Sequence, residues 1–424
     1  MSLSGRTASM SGVRHIHLFV CLTLFGLMSG CVTAPVAPLT ERNHGYGQSE
    51  DEQKLIRRAN QFETELLAKG LVLDDDTVTT YVQRVGQELV PTVTDGAVAI
   101  RFHVLRDPLV NAFALPNGGI YLNVGLLARL ENEAQLAHVI GHEIAHVVQR
   151  HGLQQHHSRK ATIIAAHIAD VALFGTSIAY LPALGALASY SQEAESESDR
   201  LAIGYMVSAG YSLQGAEQLF KLLQEVNQRE SIWGSVYSSH PDNAQRASET
   251  RSILAGRYSN VGSGRINARD YQQIRERIVL ENLRLKLNIH QYALAVKAAE
   301  HDLALAPASP WLHYYRGEAY RLMAEDPSGA AREYAWIQDE KLNDELVERY
   351  RQLRTVHLDK ARQSYRQGLS QDRNFAMAHR GLGLVAYAEG DGQTASNELN
   401  QYLNLGREIH DRRYINNILG RIHP

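Results

Sequence analysis

The sequence predicts an α+β protein, mostly α, with a small sheet toward the front and a helical tail at the end. Three observations point there. Apolar residues recur at helical spacing along most of the 424 residues. Two short stretches between residues 98 and 123 have the pattern of strands. Small residues in the last third return at a repeat-like interval.

In chain order, residues 1–30 read as an export signal. Arg6, Arg14, His15 and His17 make a weakly basic start. The apolar run "LFVCLTLFGLMSG" (18–30) is short for a membrane span, which needs roughly 20 residues. It ends in "LMSGC", similar to a bacterial lipobox, with Met28 where Leu is usual. A simple cleaved signal is the other reading. The chain has 2 cysteines. Cys21 falls inside the signal, and Cys31 becomes the first mature residue, an acylation site with no disulfide partner. Residues 31–49 are expected to be a flexible tether.

Residues 50–255 read as the first folded domain. Leu55, Ala59, Phe62 and Leu66 line one face of a helix over 50–70. A second helix, 74–90, opens on an acidic cap. "VAIRFHVLRD" alternates as a strand, and a turn at 116–119 leads to a strand around 120–123. A helix begins near Glu131. Residues 161–188 are nearly all apolar or small, but His167, Asp170, Gly175 and Pro182 argue against a spanning helix. A mobile flap or a membrane-surface segment is expected there. Helical patterning resumes over 190–228, and 256–270 reads as an interdomain linker. In the tail, 271–424, Ala295, Gly317, Ala361, Gly383 and Ala395 are spaced like the small positions of tetratricopeptide-like helical hairpins, although "EDPSGAAREYAWI" breaks the phase. Such a solenoid offers a concave surface to a partner. The formal charge of −3 argues against a nucleic-acid partner.

The chemistry lies in "AHVIGHEIAHVVQRH" (137–151), which sets His142, Glu143 and His146 in an H-E-x-x-H frame. Residues four apart on a helix share a face. His142 and His146 can therefore offer two imidazoles to one ion, and Glu143 can reach a water beside it. Zinc lowers the pKa of such a water to about 7, and Glu143 takes its proton as it attacks a carbonyl. Leu136, Val139, Ile140, Ile144 and Val147 predict a buried helix, and Gly141 permits close approach of another backbone. Hydrogen-bonded core histidines are the alternative. A catalytic zinc needs a third protein ligand and an open position. "YSQEAESESDRLAIGYMVSAGY" (190–211) supplies acids entering a helix: Glu195 and Asp199 share one face, and Glu193 and Glu197 form a rival pair. A solvated acidic first turn is a third reading.

"GHEIAHVVQRH", followed downstream by "EAESESDRLAIGYM", resembles the gluzincin metallopeptidases that include HtpX and the CAAX prenyl endopeptidases. The resemblance implies a zincin-type catalytic domain holding one Zn2+ per chain on His142, His146 and Glu195. It makes Glu143 the base and has Asp199 support a ligand histidine. "NAFALPNGGIYLNVGLL" is similar to the family's strand beside the active site, and "SSHPDNAQR" to its S-H-P-x-x-x-x-R element, matching His240, Pro241 and Arg246. By the same likeness, His240 can fill the open zinc position and hold the enzyme latent. With the exported start and the repeat-like tail, the arrangement is similar to BepA-like periplasmic proteases, which act in outer-membrane protein assembly and quality control.

The sequence therefore leads us to expect a zinc-dependent metalloendopeptidase in the periplasm, anchored to the outer membrane through lipidated Cys31. Val32 after the cysteine favours that membrane. Unfolded or misassembled outer-membrane proteins are the expected substrates, and the tail is expected to hold a barrel precursor or the assembly machinery. Substrate is expected to extend a sheet edge along 120–123, with Arg246 steadying the oxyanion. The alternative is a catalytically idle chaperone or adaptor.

Overall fold

The computed structural model describes residues 36–41, 49–90, 98–158, 190–229, 240, 243–406 and 409–422. The expected signal, Cys31 and the apolar segment 161–188 lie outside these. No helix among the described residues is long and apolar enough to cross a membrane.

Helix α1 (Glu50–Ala68) starts at Ser49, whose hydroxyl accepts the Glu52 N–H, and it buries Ala59 and Leu66. Helix α2 (Asp76–Leu89) opens on the expected acidic cap: Asp75 accepts from the Thr77 and Val78 amides. Three strands follow, β1 (Arg101–Leu105), β2 (Ala112–Ala114) and β3 (Gly119–Asn123), in the order β1-β3-β2. β3 runs parallel to β1, with Phe102 beside Ile120, and antiparallel to β2, with Phe113 beside Tyr121. This corrects one expectation. β3, over 119–123, is the central strand and both its edges are already hydrogen-bonded. An added strand can pair only with an outer strand, and β2 is the one on the side of the sheet toward the H-E-x-x-H helix. The sequence reading missed β2 because it has only three residues.

After the short helix α3 (Val124–Leu127) comes α4 (Glu133–Val148), capped by Asn132 and buried along all 16 residues. A helix buried on every side belongs in a core. The short helix α5 (His151–Ser158) follows, and beyond the undescribed stretch come α6 (Gln192–Ser208), α7 (Gln214–Arg229) and α8 (Asn243–Ala255). α6 lies against α4. An added Cβ on Gly141 would come 3.3 Å from Ala202 Cα, so the absent side chain sets how closely these two helices approach.

The tether and the linker both depart from expectation. Leu39, inside the expected flexible tether, is buried in the main core. The expected linker 256–270 is fastened down: Arg265 stacks on Tyr211 with its guanidinium 3.9 Å from the ring centre, and the Ser212 amide donates to the Arg265 carbonyl. Asn267 donates to Glu133 at the start of α4, as does Tyr211. The next helix, α9 (Ala268–Asn288), packs on α2, α3 and α4. Tyr271 donates to the Leu127 carbonyl at 2.6 Å, and buried Arg275 donates to the Ala128 and Leu130 carbonyls. One apolar cluster runs without interruption from Val78 through Ile140 and Ile278 to Ala299.

The tail continues as α10 (Tyr292–Leu305), α11 (Pro310–Glu325), α12 (Pro327–Gln338), α13 (Asp344–Gln352), α14 (Arg354–Gln371), α15 (Ala376–Glu389), α16 (Gly392–Leu405) and α17 (Arg412–Ile422). α11 packs on α14, α14 on α15 and α15 on α16, whereas α12 and α13 form a hairpin with its own small core of Ala331, Ala335 and Leu346. That hairpin accounts for the phase break at "EDPSGAAREYAWI". Tyr365 on α14 sits between two glycines: an added Cβ would meet its ring at 2.5 Å from Gly317 and 2.3 Å from Gly381.

In an open helix, replacing glycine by alanine gains about 1 kcal/mol. Gly381→Ala should do the opposite and lower stability by about 1–3 kcal/mol, because the methyl group overpacks the buried Tyr365 ring. Urea unfolding of the variant measures this. A net gain would mean that the ring yields freely.

Candidate metal centre

α4 carries His142, Glu143 and His146, and α6 carries Glu195 and Asp199. His240 and Arg246 come from the segment entering α8 and from α8 itself. All seven side chains are buried. The two acidic pairs left open by sequence are now distinguished. Glu195 and Asp199 face inward, while Glu193 is exposed and Glu197 keeps 42% of its side chain accessible.

His142, His146, Glu195 and His240 each present one ligand atom within 4.8 Å of the others. His142 Nε2 lies 3.0 Å from His146 Nε2 and 3.1 Å from His240 Nδ1. Glu195 Oε1 is 2.8 Å from His240 Nδ1 and 3.5 Å from His146 Nε2, and Oε2 is 3.4 Å from His142 Nε2. Donors about 2.0–2.1 Å from a tetrahedral ion would sit roughly 3.3 Å apart, so this spacing fits one small cation. Glu143 is fully buried at the rim of the cluster, with Oε1 3.3 Å from His240 Nε2. Its two oxygens have no hydrogen-bond partner among the described residues. A buried carboxylate with so few hydrogen bonds is unusual, and it leaves acceptor capacity for a water or substrate group.

The outer contacts orient the ligands. Asp199 Oδ1 accepts from His142 Nδ1 at 2.9 Å, which leaves Nε2 bare toward the cluster. Arg246 grips Asp199 through Nε at 2.7 Å and Nη2 at 2.8 Å, and its Nη1 reaches Glu195 Oε2 at 2.9 Å. Its guanidinium therefore faces the carboxylates that hold the site. This replaces the expected oxyanion role for Arg246 with one of anchoring ligands. Burial would push both carboxyls up. Arg246 beside Asp199 and the histidines beside Glu195 instead hold them well below the usual range, as ionised acceptors. Burial likewise opposes charge on His240, yet Glu195 and Glu143 push it up to about 9. His138, one turn before His142, is buried edge-on to Phe220, and burial pushes it down to about 4.

Two residues escaped the sequence reading. Tyr190 stacks on His146 with ring centres 3.9 Å apart. His151 places Nδ1 2.9 Å from His146 Nδ1 and Nε2 3.2 Å from Glu197 Oε2. The available signal was a histidine five places after His146. A small cavity beside His146 is lined by Leu39, Ala114, Leu115, Pro116 and Tyr190 together with the paired Glu52 and Arg150, so the end of β2 borders the site.

Residues 76–254 match the profile of peptidase family M48. The chain is 27% identical over 199 residues to the beta-barrel assembly-enhancing protease of Escherichia coli, covering 44% of this chain and 41% of that protein. It is 29% identical over 170 residues to the mitochondrial metalloendopeptidase OMA1 of Schizosaccharomyces pombe, covering 40% and 50%. It is 30% identical over 163 residues to the metalloprotease YcaL of Escherichia coli, covering 37% and 63%. The matched stretches thus span about half the length of these relatives.

Glu195→Gln should loosen a bound divalent metal by more than the roughly 10- to 100-fold that outer partners contribute, and Glu197→Gln by less. Chelator competition on the two variants measures the order. A reversed order would assign the third ligand to the wrong face of α6.

Proposed function

We propose that this chain is a zinc-dependent metalloendopeptidase of the cell envelope that acts on unfolded or misassembled outer-membrane proteins. The observation that carries this reading is the set of four convergent donors with buried Glu143 beside them, its Oε1 3.3 Å from His240 Nε2. His142, His146 and Glu195 would hold the zinc. When bound there, zinc supplies Lewis-acid polarisation of a peptide carbonyl and acidification of a water. Glu143 then takes the proton of the attacking water and passes it to the leaving amine. Asp199 and Arg246 keep His142 and Glu195 in place. An extended substrate would add alongside β2, next to His146 and the cavity beside it.

The choice of substrate and compartment draws on the named assembly-enhancing protease and on the export signal with Cys31 in the sequence. In this proposal the lipidated Cys31 ties the protein to the outer membrane, and the repeat-like tail holds the assembly machinery. An idle adaptor would need no carboxylate buried beside the donors, so Glu143 weighs against that alternative.

Glu143→Gln should keep about one zinc per chain and lose hydrolysis of an unfolded outer-membrane protein by roughly 10²- to 10⁴-fold, the scale of general-base catalysis. Unchanged turnover would remove Glu143 from the mechanism. His240 occupies the fourth donor position and meets Glu143 with its other nitrogen. A fourth protein ligand closes a site that catalysis needs open. His240→Ala should therefore raise basal self-cleavage while zinc stays bound. Autolysis of the purified variant beside wild type tests this, and equal or lower cleavage rejects the latch.

A further inference from the structure

We infer that His151, its tautomer set by Glu197, is the positioning residue that orients His146 toward the metal centre; the inference rests on the metallopeptidase reading above. His146 turns Nε2 to the other donors, 3.0 Å from His142 Nε2. Its Nδ1 points away and meets His151 Nδ1 at 2.9 Å. Two ring nitrogens at that distance share one proton, so one donates and one accepts. The far side of His151 fixes which. Its Nε2 lies 3.2 Å from Glu197 Oε2, and an ionised carboxylate only accepts. Nε2 of His151 therefore carries the hydrogen, its Nδ1 is bare, and His146 Nδ1–H donates. That leaves the lone pair of His146 Nε2 facing the site, the form a ligand requires.

The backbone is built to deliver His151 to this spot. α4 ends at Val148, and Arg150 just beyond it adopts φ 58° in the left-handed region, uncommon for a residue other than glycine. A buried ion pair holds the turn: Arg150 Nε donates to Glu52 Oε1 at 3.0 Å, and Nη2 to Oε2 at 2.5 Å. Beyond that turn the His151 ring lies 4.9 Å from that of His146. Tyr190 stacks against His146, which limits its ring rotation further. Glu197 thereby gains a role as an outer support, separate from that of Glu195.

The test uses the full chain and zinc alone, with a chelator competing for the metal. Outer partners of metal-bound histidines contribute roughly 10- to 100-fold in affinity. His151→Leu should lose zinc affinity by about that factor and alter the visible absorption of the Co2+-loaded protein. His151→Asn, whose amide oxygen can accept from the same N–H, should recover most of the affinity and the wild-type Co2+ spectrum. Glu197→Ala, at a partly exposed side chain, should shift affinity in the same direction as His151→Leu but by less. It carries the test if the leucine variant does not fold. Melting of the metal-free variants separates loss of fold from loss of ligand geometry. Wild-type zinc affinity and Co2+ spectrum in His151→Leu, or equal losses in the Leu and Asn variants, would overturn the positioning role. Unchanged affinity in Glu197→Ala would overturn the tautomer argument. A wild-type chain that takes up no zinc would instead overturn the metallopeptidase reading itself.

Discussion

Lone-pair donors held 2.8–3.5 Å apart in a dry core repel one another unless positive charge lies among them, and this constraint organises the molecule. Glu143, Glu195 and Asp199 supply three buried carboxyl groups, and Arg246 is the guanidinium set against them. Arg246 offsets part of that negative charge, and a cation held among the donors would offset more. The surrounding elements follow from that need. α4 is buried on every side because it must bring two ligands and a base into the interior together. α6 approaches it at a glycine because Glu195 has to reach the same point from the next helix.

The two ligand histidines are supported in different ways. His142 leans on a carboxylate whose charge is shared with Arg246. His146 leans on a neutral ring that in turn leans on a partly exposed acid. Each arrangement fixes the same tautomer, but the first puts a full charge behind the ligand and the second only a dipole. Both supports for the ligands of α4 arrive from α6 or from the turn at Arg150, so the helix carries only the ligands and the base themselves.

Much of this was legible in the residues. The H-E-x-x-H spacing needs only the pitch of a helix, and the inward face of α6 follows once Glu195 and Asp199 are taken as one side of it. The capped start of α2 was visible because Asp75 stands just before apolar periodicity. What failed was everything set by contacts distant in sequence. β2 is too short to show alternation, and β3 becomes central only through pairing on both sides. Arg246 fits an oxyanion role on motif position alone, and only three dimensions reveal that Asp199 and Glu195 claim its guanidinium. Residues 256–270 have a linker's composition, yet Arg265 and Asn267 bind them to Tyr211 and Glu133.

That last misreading bears on how the tail relates to the site. α9 is the first tail helix by sequence and a core helix of the peptidase part by packing. Arg275 joins the two in one side chain: it donates to the Ala128 and Leu130 carbonyls just before α4, and it pairs with Asp302 on α10 at 2.6 Å. Burying that pair costs desolvation, which its several hydrogen bonds offset, and removing either partner would leave a charge stranded in the seam. A lever hinged on a flexible linker would dissipate force from a partner on the tail. A shared core transmits it, because close-packed interiors change arrangement in steps rather than by gradual yielding. Adjacency alone is not coupling. The continuous packing from α10 through α9 to α4 is the physical medium that any coupling between tail and metal centre would require.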